Sequence, residues 1–249
     1  MTVRWLTAFL DVPDQRFRAG ADFWLEVTAS TLSPTRGTRD EFATLVPTDG
    51  DAYLRVQRVA GPHGGCHLDL HVDDRPATAR HAETLGASVE RALDDVIVMR
   101  SPAGLAFCVV GHHGESVRPA PTTLDGQRSL VDVLCVDIPP DDYERETTFW
   151  AGLTGWELRD VDYPEYSYLA APAGMPLLLL LQRLHDAAPG RTAGAHLDIA
   201  TDDPEALAAA HERRGARVLR RHDRWITMTD PSGLPYCLVR RAPETERLT

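Results

Sequence analysis

The chain has 249 residues and a mass of 27.5 kDa, room for one large domain or two ordinary ones. Its 43% hydrophobic and 25% charged residues exclude wholesale disorder. A net charge of -11 argues against an electrostatic grip on nucleic acid or an anionic membrane, and because all 26 basic residues are Arg, Schiff-base and P-loop lysine chemistry are excluded.

In chain order, the first ten residues lack the basic region, apolar core and small-residue cleavage site of a signal peptide. Residues 4–59 and then 65–110 each read as strand, helix, strand, strand, strand. Residues 111–129 are rich in Gly, Pro, Ser and Thr and read as a linker. The same order returns in 130–184: a strand from Leu130 to Ile138, a helix from about Asp141 to Leu153 ending near Gly155, then strands at Trp156–Val161, Tyr166–Ala170 and Leu177–Leu184. The five leucines from Leu177 to Leu181 are the longest apolar run, far short of the roughly 20 residues of a membrane span.

In 194–240, His196–Thr201 alternates polar and apolar residues as a half-buried strand does. Asp203 is then an N-cap with Pro204 at the first helical position, and Gly215 ends the helix. Strands follow at Ala216–Arg221 and Trp225–Thr229, and Asp230-Pro231-Ser232-Gly233 turns the chain into a last strand to Arg240. The cysteines Cys66, Cys108, Cys135 and Cys237 have no CxxC spacing, and a cytoplasmic, reduced setting is expected.

The two halves are duplicates. Residues 67–110 shifted by 129 match 196–239 at 20 of 44 positions without a gap. His67-Leu68-Asp69 falls on His196-Leu197-Asp198, and Cys108 on Cys237. Earlier segments match at an offset of 126: Leu10-Asp11-Val12-Pro13 on Val136-Asp137-Ile138-Pro139, and Phe23-Trp24 on Phe149-Trp150. The chain thus divides into a domain at 1–112, a linker at 113–129 and a domain at 130–242. Each pairs two βαβββ modules, an α+β architecture in which curled mixed sheets enclose a hollow and helices cover the outside.

These paired modules, with "HLDIATDDPEA" and "DPSGLPYCLV", resemble the vicinal oxygen chelate superfamily, in its glyoxalase-like and bleomycin-resistance-like branch. The resemblance spans nearly the whole chain. It implies a small-molecule cavity in each domain, and the superfamily holds both metal-dependent enzymes and metal-free drug-binding proteins. By resemblance its four metal-ligand positions map to Thr7, Gln57 or a neighbour, His67 and Cys108 in the first domain, and to Val133, Gln182 or a neighbour, His196 and Cys237 in the second. Cysteine stands where the usual last-strand carboxylate belongs, and Thr7 and Val133 replace a His or Gln. That set is a poor one for a hard cation, so the expectation is no metal and no other cofactor, with a divalent ion left open.

Strand parity sends His67, Asp69, His71 and Cys108 to one hollow, and His196, Asp198 and Cys237 to the other. Gln57 and Gln182 join them, and Tyr166, Tyr168, Trp225 and Met228 are candidate walls for a flat ligand. His67 and His196 are the candidate bases, each beside an Asp two residues on. Trp24 and Trp150, on the first helix of each domain, are expected in the core.

Two functions follow. The first is metal-free binding or sequestration of an organic metabolite or antibiotic. The alternative is an enzyme (lyase, isomerase, cyclase or metal-dependent dioxygenase) using a cavity His as base or ligand. The second domain, with more aromatics, is the favoured site. The partner expected is a small organic ligand, with no nucleic acid and no membrane, in a monomer or homodimer. The arginine-only basic set suggests a GC-rich bacterial genome.

Overall fold

The computed structural model describes residues 2–245 and Leu248. The first sheet carries β1 (Val3–Pro13), β2 (Thr31–Leu32), β3 (Phe42–Val46), β4 (Leu54–Val59), β5 (Gly65–Val72), β6 (Ser88–Ala92), β7 (Val96–Arg100) and β8 (Ala106–Gly111). Its order is β2-β3-β4-β1-β5-β8-β7-β6. The second carries β9 (Thr122–Leu124), β10 (Gln127–Ile138), β11 (Glu157–Asp160), β12 (Tyr166–Ala170), β13 (Leu178–Arg183), β14 (Gly194–Thr201), β15 (Arg217–Arg221), β16 (Trp225–Thr229) and β17 (Pro235–Arg240). Its order is β11-β12-β13-β10-β14-β17-β16-β15, with β9 added to β10.

Both sheets therefore have one wiring. The first strand of each module pairs in parallel with that module's last, as β1 does with β4 and β14 with β17. The two modules of a domain join through antiparallel first strands, β1 with β5 and β10 with β14. Pairing lies within each half of the chain, and each open sheet curls round its own hollow.

The helices α1 (Phe17–Val27), α2 (Arg75–Thr84), α3 (Tyr143–Thr154) and α4 (Pro204–Glu212) begin and end where local chemistry dictates. The Asp74 and Asp203 side chains accept from Ala77 N and Ala206 N at the starts of α2 and α4. Gly155, at φ 71°, ends α3 in the left-handed conformation that costs a glycine nothing. None is long and apolar enough to cross a membrane.

One expectation needs correction. The linker at 113–129 contains β9 and the start of β10, joined by Asp125-Gly126 with both φ angles positive. Asp-Gly suits a two-residue hairpin, and its twist matches that of the flanking strands.

Trp24 and Trp150 are fully buried, as expected, but each helix that carries one is clasped by the other domain. Trp24 and Phe23 of α1 pack on Tyr236 of β17, and Trp24 Nε1 donates to Asp230 Oδ2 at 2.8 Å. Asp230 Oδ1 accepts from Ser232 N, Ser232 Oγ and Leu234 N, which locks the turn. On the opposite side Trp150 of α3 packs on Phe107 of β8 and donates to Glu146 Oε1 at 2.8 Å. Glu146 Oε2 accepts from Ala103 N. The two clasps have the same shape with the carboxylate on opposite partners. Glu146 of α3 stands where α1 has Gly20, and Ser101 stands where the second domain has Asp230. A Cβ on Gly20 would come within 2.9 Å of Ser232 Cβ.

Candidate functional site

The second domain builds its site from four adjacent strands. Antiparallel pairing of β10 and β14 sets Cys135 opposite His196 and Asp137 opposite Gly194. Parallel β13 brings Gln182 beside Asp137, and parallel β17 brings Cys237 beside Asp198. These side chains share the concave face and line a cavity of about 490 Å³. Its walls are Val161, Tyr163, Tyr166, Leu180, Trp225 and Val239, with Arg224, Arg240, Arg241 and Leu248 also contributing.

His196 is the centre of this floor. Its Nδ1–H donates to Asp137 Oδ2 at 2.9 Å. Its Nε2 faces Asp198 Oδ1 at 3.4 Å and Cys237 Sγ at 3.7 Å. Asp198 Oδ1 is buried, with no hydrogen-bond partner among the described residues. Cys135 Sγ donates to Gln182 Oε1 at 3.8 Å. Burial opposes charge on His196, but Asp137 outweighs it with help from Cys135 and Cys237, and the imidazole pKa lies well above its ordinary value. Burial pushes the Cys237 thiol up, and His196 pulls it back only in part.

The first domain repeats the pattern and then fills it. His67 Nδ1 donates to Asp11 Oδ2 at 2.8 Å, and Nε2 is 3.9 Å from Asp69 Oδ1. Phe9 stacks flat on His67, with ring centres 4.5 Å apart and 8° between planes. Arg55 lies over Phe9 and reaches Asp69 Oδ2 at 3.6 Å. Phe9 and Arg55 occupy the stations of Cys135 and Leu180 in the second sheet. One aromatic and one guanidinium thus take the space that a thiol and an isobutyl group leave open. His71, deeper in this hollow, is held by Thr7 Oγ1 at 2.9 Å and by Glu115 at 3.6 Å.

Of the residues singled out in the sequence, Tyr166, Gln182, His196, Asp198, Trp225 and Cys237 come together around the open cavity. Gln57, His67, Asp69 and Cys108 hold the equivalent places in the filled hollow, where Gln57 stands beside Asp11. Tyr168 is buried against Val133, Cys135 and Leu178 rather than in the cavity wall. Met228 does not face the cavity. It pairs with Tyr236 on the opposite side of β16, fully buried in the core against α4, because alternation puts Trp225 and Thr227 inward and their neighbour outward.

Sequence reasoning missed Asp137 and Asp11, the carboxylates that fix the imidazoles. Their signal was present in the matching Asp11-Val12-Pro13 and Asp137-Ile138-Pro139 segments. It also missed Cys135 and Arg241.

The donor set bears directly on a metal. Among the described residues His196, Asp198 and Cys237 place one ligand atom each within 4.8 Å of one another, as do His67, Asp69 and Cys108. The expectation of a poor ligand set counted a His, an amide and a Cys and left out the aspartates. With Asp198 included, three N, O and S donors converge, one of them an orphaned carboxylate oxygen. Asp137 on the far imidazole nitrogen supplies the outer support that ligating histidines need. The set would fit a divalent cation of borderline softness such as zinc. In the first domain Arg55 already serves Asp69, so the fit is worse there.

No curated protein matches the chain in sequence. Among solved structures it is similar to a Mn(II)-bound glyoxalase from Novosphingobium aromaticivorans, at 15% identity and a TM-score of 0.66, covering 100% of this chain and 87% of that one. A 2,2',3-trihydroxybiphenyl 1,2-dioxygenase from Sphingomonas wittichii aligns at 18% identity and a TM-score of 0.64, covering 96% and 90%. A variant of 4-hydroxymandelate synthase from Streptomyces coelicolor aligns at 14% identity and a TM-score of 0.63, covering 96% and 93%. At these identities the likeness is one of fold. The glyoxalase-like domain family matches residues 7–110 and again 133–239. Repeat, wiring and family match agree: the chain belongs to the glyoxalase-like domain family of the vicinal oxygen chelate superfamily and carries its domain twice in tandem.

Proposed function

We propose that the second domain is the active site of an enzyme acting on a small organic molecule, with a divalent cation held by His196, Asp198 and Cys237. The observation that carries this reading is the convergence of three donors on one point of the cavity floor, with Asp198 Oδ1 buried, 3.4 Å from His196 Nε2 and without a hydrogen bond among the described residues. A cavity of this size would serve a passive binder equally well. A desolvated carboxylate aimed at an imidazole and a thiol, in a hollow left open to ligand, favours a metal-holding site over passive binding. The metal-bound glyoxalase of the same fold supports the enzyme reading over sequestration.

When bound, the cation supplies a Lewis acid for a substrate oxygen. The chain's own groups do the rest. Asp137 holds the Nδ1 proton and so aims Nε2 into the cavity. Tyr163, Tyr166 and Trp225, at mutual ring distances of 5.8 to 6.4 Å, form an edge-to-face wall for a flat substrate and keep water from the floor. The Cys135–Gln182 pair offers a polar contact opposite.

The test is cobalt loading of dialysed protein. One equivalent binds, with thiolate-to-cobalt charge-transfer absorption that Cys237→Ser removes, and His196→Ala and Asp198→Asn lower metal retention. A wild-type protein that retains no stoichiometric cation, or a Cys237→Ser spectrum identical to wild type, refutes the site.

A further inference from the structure

The charged groups on the cavity wall point to the class of substrate. Three arginines reach it, and two are already engaged outward. Arg224 pairs with Asp162 at the rim, both more than half exposed, and Arg240 donates to the Asp202 carbonyl. Arg241 is different. Its side chain is only 13% exposed and lines the cavity, and its Nη2 donates to Asp132 Oδ1 at 2.5 Å. Its Nε is buried with no hydrogen-bond partner among the described residues.

Asp132 is equally unusual. It is fully buried, and its second oxygen, Oδ2, makes no hydrogen bond among the described residues. It occupies the point where the β10–β14 register slips by one residue, between Val131 and Val133. Such a bulge turns a side chain away from its regular face. In the first sheet the slip falls two residues earlier, between Val3 and Trp5, and the repeat sets the apolar Leu6 where the second sheet has Asp132, so the pair is peculiar to the open domain. A guanidinium fork is built to grip a carboxylate at two points, and here one carboxylate oxygen uses one of its donors.

We propose that Arg241 is a specificity-determining residue that binds the carboxylate of a planar aromatic acid, with Asp132 holding the guanidinium in place until that substrate arrives. The aromatic body then lies along Tyr163, Tyr166 and Trp225. The assignment rests on the second-domain cavity being the active site, as proposed above, but not on its cation. Burial raises the Asp132 carboxyl to about 6 against the pull of Arg241 and the lesser pull of Arg118.

Calorimetric titration of the full chain with naphthoate and with its neutral isostere, naphthamide, tests this. Naphthoate binds at least about tenfold more tightly in the wild type. Arg241→Gln abolishes that preference. Arg241→Lys, which keeps the charge beside Asp132 but lacks the fork, retains part of it and serves should the Gln variant fail to fold. Asp132→Asn, by removing the competing carboxylate, tightens naphthoate binding several-fold, an effect that a purely structural ion pair would not produce. Equal affinity for the two probes, an unchanged preference in the Arg241 variants, or no gain in Asp132→Asn overturns the proposal. Cobalt loading is read separately, so a chain that prefers naphthoate yet holds no metal sinks only the metal reading. One that holds metal without that preference sinks only this one.

Discussion

Trp24→Phe tests whether the two halves depend on the clasp described above. The indole nitrogen donates at 2.8 Å to Asp230 Oδ2, and Trp24 is 0% exposed. The other carboxylate oxygen is saturated by three donors within the turn, so Oδ2 has no local substitute. Losing a hydrogen bond to a buried charged acceptor costs about 2–3 kcal/mol. The smaller ring forfeits roughly 1 kcal/mol more of apolar burial. Together these give about 3–4 kcal/mol, or roughly 10 °C in Tm for a chain of this size. Thermal and urea melts of Trp24→Phe, Asp230→Asn and the double variant form a cycle whose coupling should be about 1–2 kcal/mol. A shift of under about 3 °C in the single Trp variant, or additivity within about 0.5 kcal/mol in the cycle, would show that the clasp is incidental.

Other outcomes follow from the site and the core. Cys135→Phe, which copies the arrangement of Phe9 on His67, should fill the second cavity and abolish ligand and cobalt binding while the fold melts cooperatively; retained binding at wild-type affinity would contradict the comparison of the hollows. Asp137→Asn should lower the His196 pKa, read by NMR titration, and weaken metal retention by about 10–100-fold, since the imidazole loses its outer support. His211 is buried against Tyr236, and desolvation, with a smaller contribution from Arg214, holds its pKa down to about 3. Protons therefore bind the unfolded chain first. The stability this neutral imidazole contributes is complete above about pH 6.5 and drains away as pH falls towards 3, by roughly 5 kcal/mol in all. In His211→Gln, urea melts across that window should lose this part of the acid slope; an unchanged slope would mean that other groups carry it.

Much of this is legible in the amino-acid sequence. Asp203-Pro204 and Gly215 mark their helix because capping is local chemistry, and the duplication transfers that reading to the other modules. Parity placed His196, Asp198 and Cys237 on one face for the same reason: alternation is a property of a single strand. What parity does not supply is the neighbour across the ladder. Asp137 lies 59 residues before His196, and only the register of β10 against β14 sets its carboxylate on the imidazole. Register also decides that Phe9 covers its histidine while Cys135 uncovers the other. The Asp125-Gly126 hairpin was written in plain turn chemistry but sat in a Pro-rich stretch that read as linker. The Asp230 carboxylate under Trp24 and the Phe107 ring against Trp150 lay beyond local reasoning altogether, since each belongs to the opposite domain.

The exchanged carboxylates have a consequence for assembly. Were a half-chain to dock on a copy of itself, α1 would offer its indole to Ser101, where no anion waits, and α3 would push Glu146 against Asp230 in space sized for Gly20. Each wrong match either starves a donor or crowds two negative charges. The exchange at two buried positions thus makes the joint heterologous, complementary between unlike halves and mismatched between like ones.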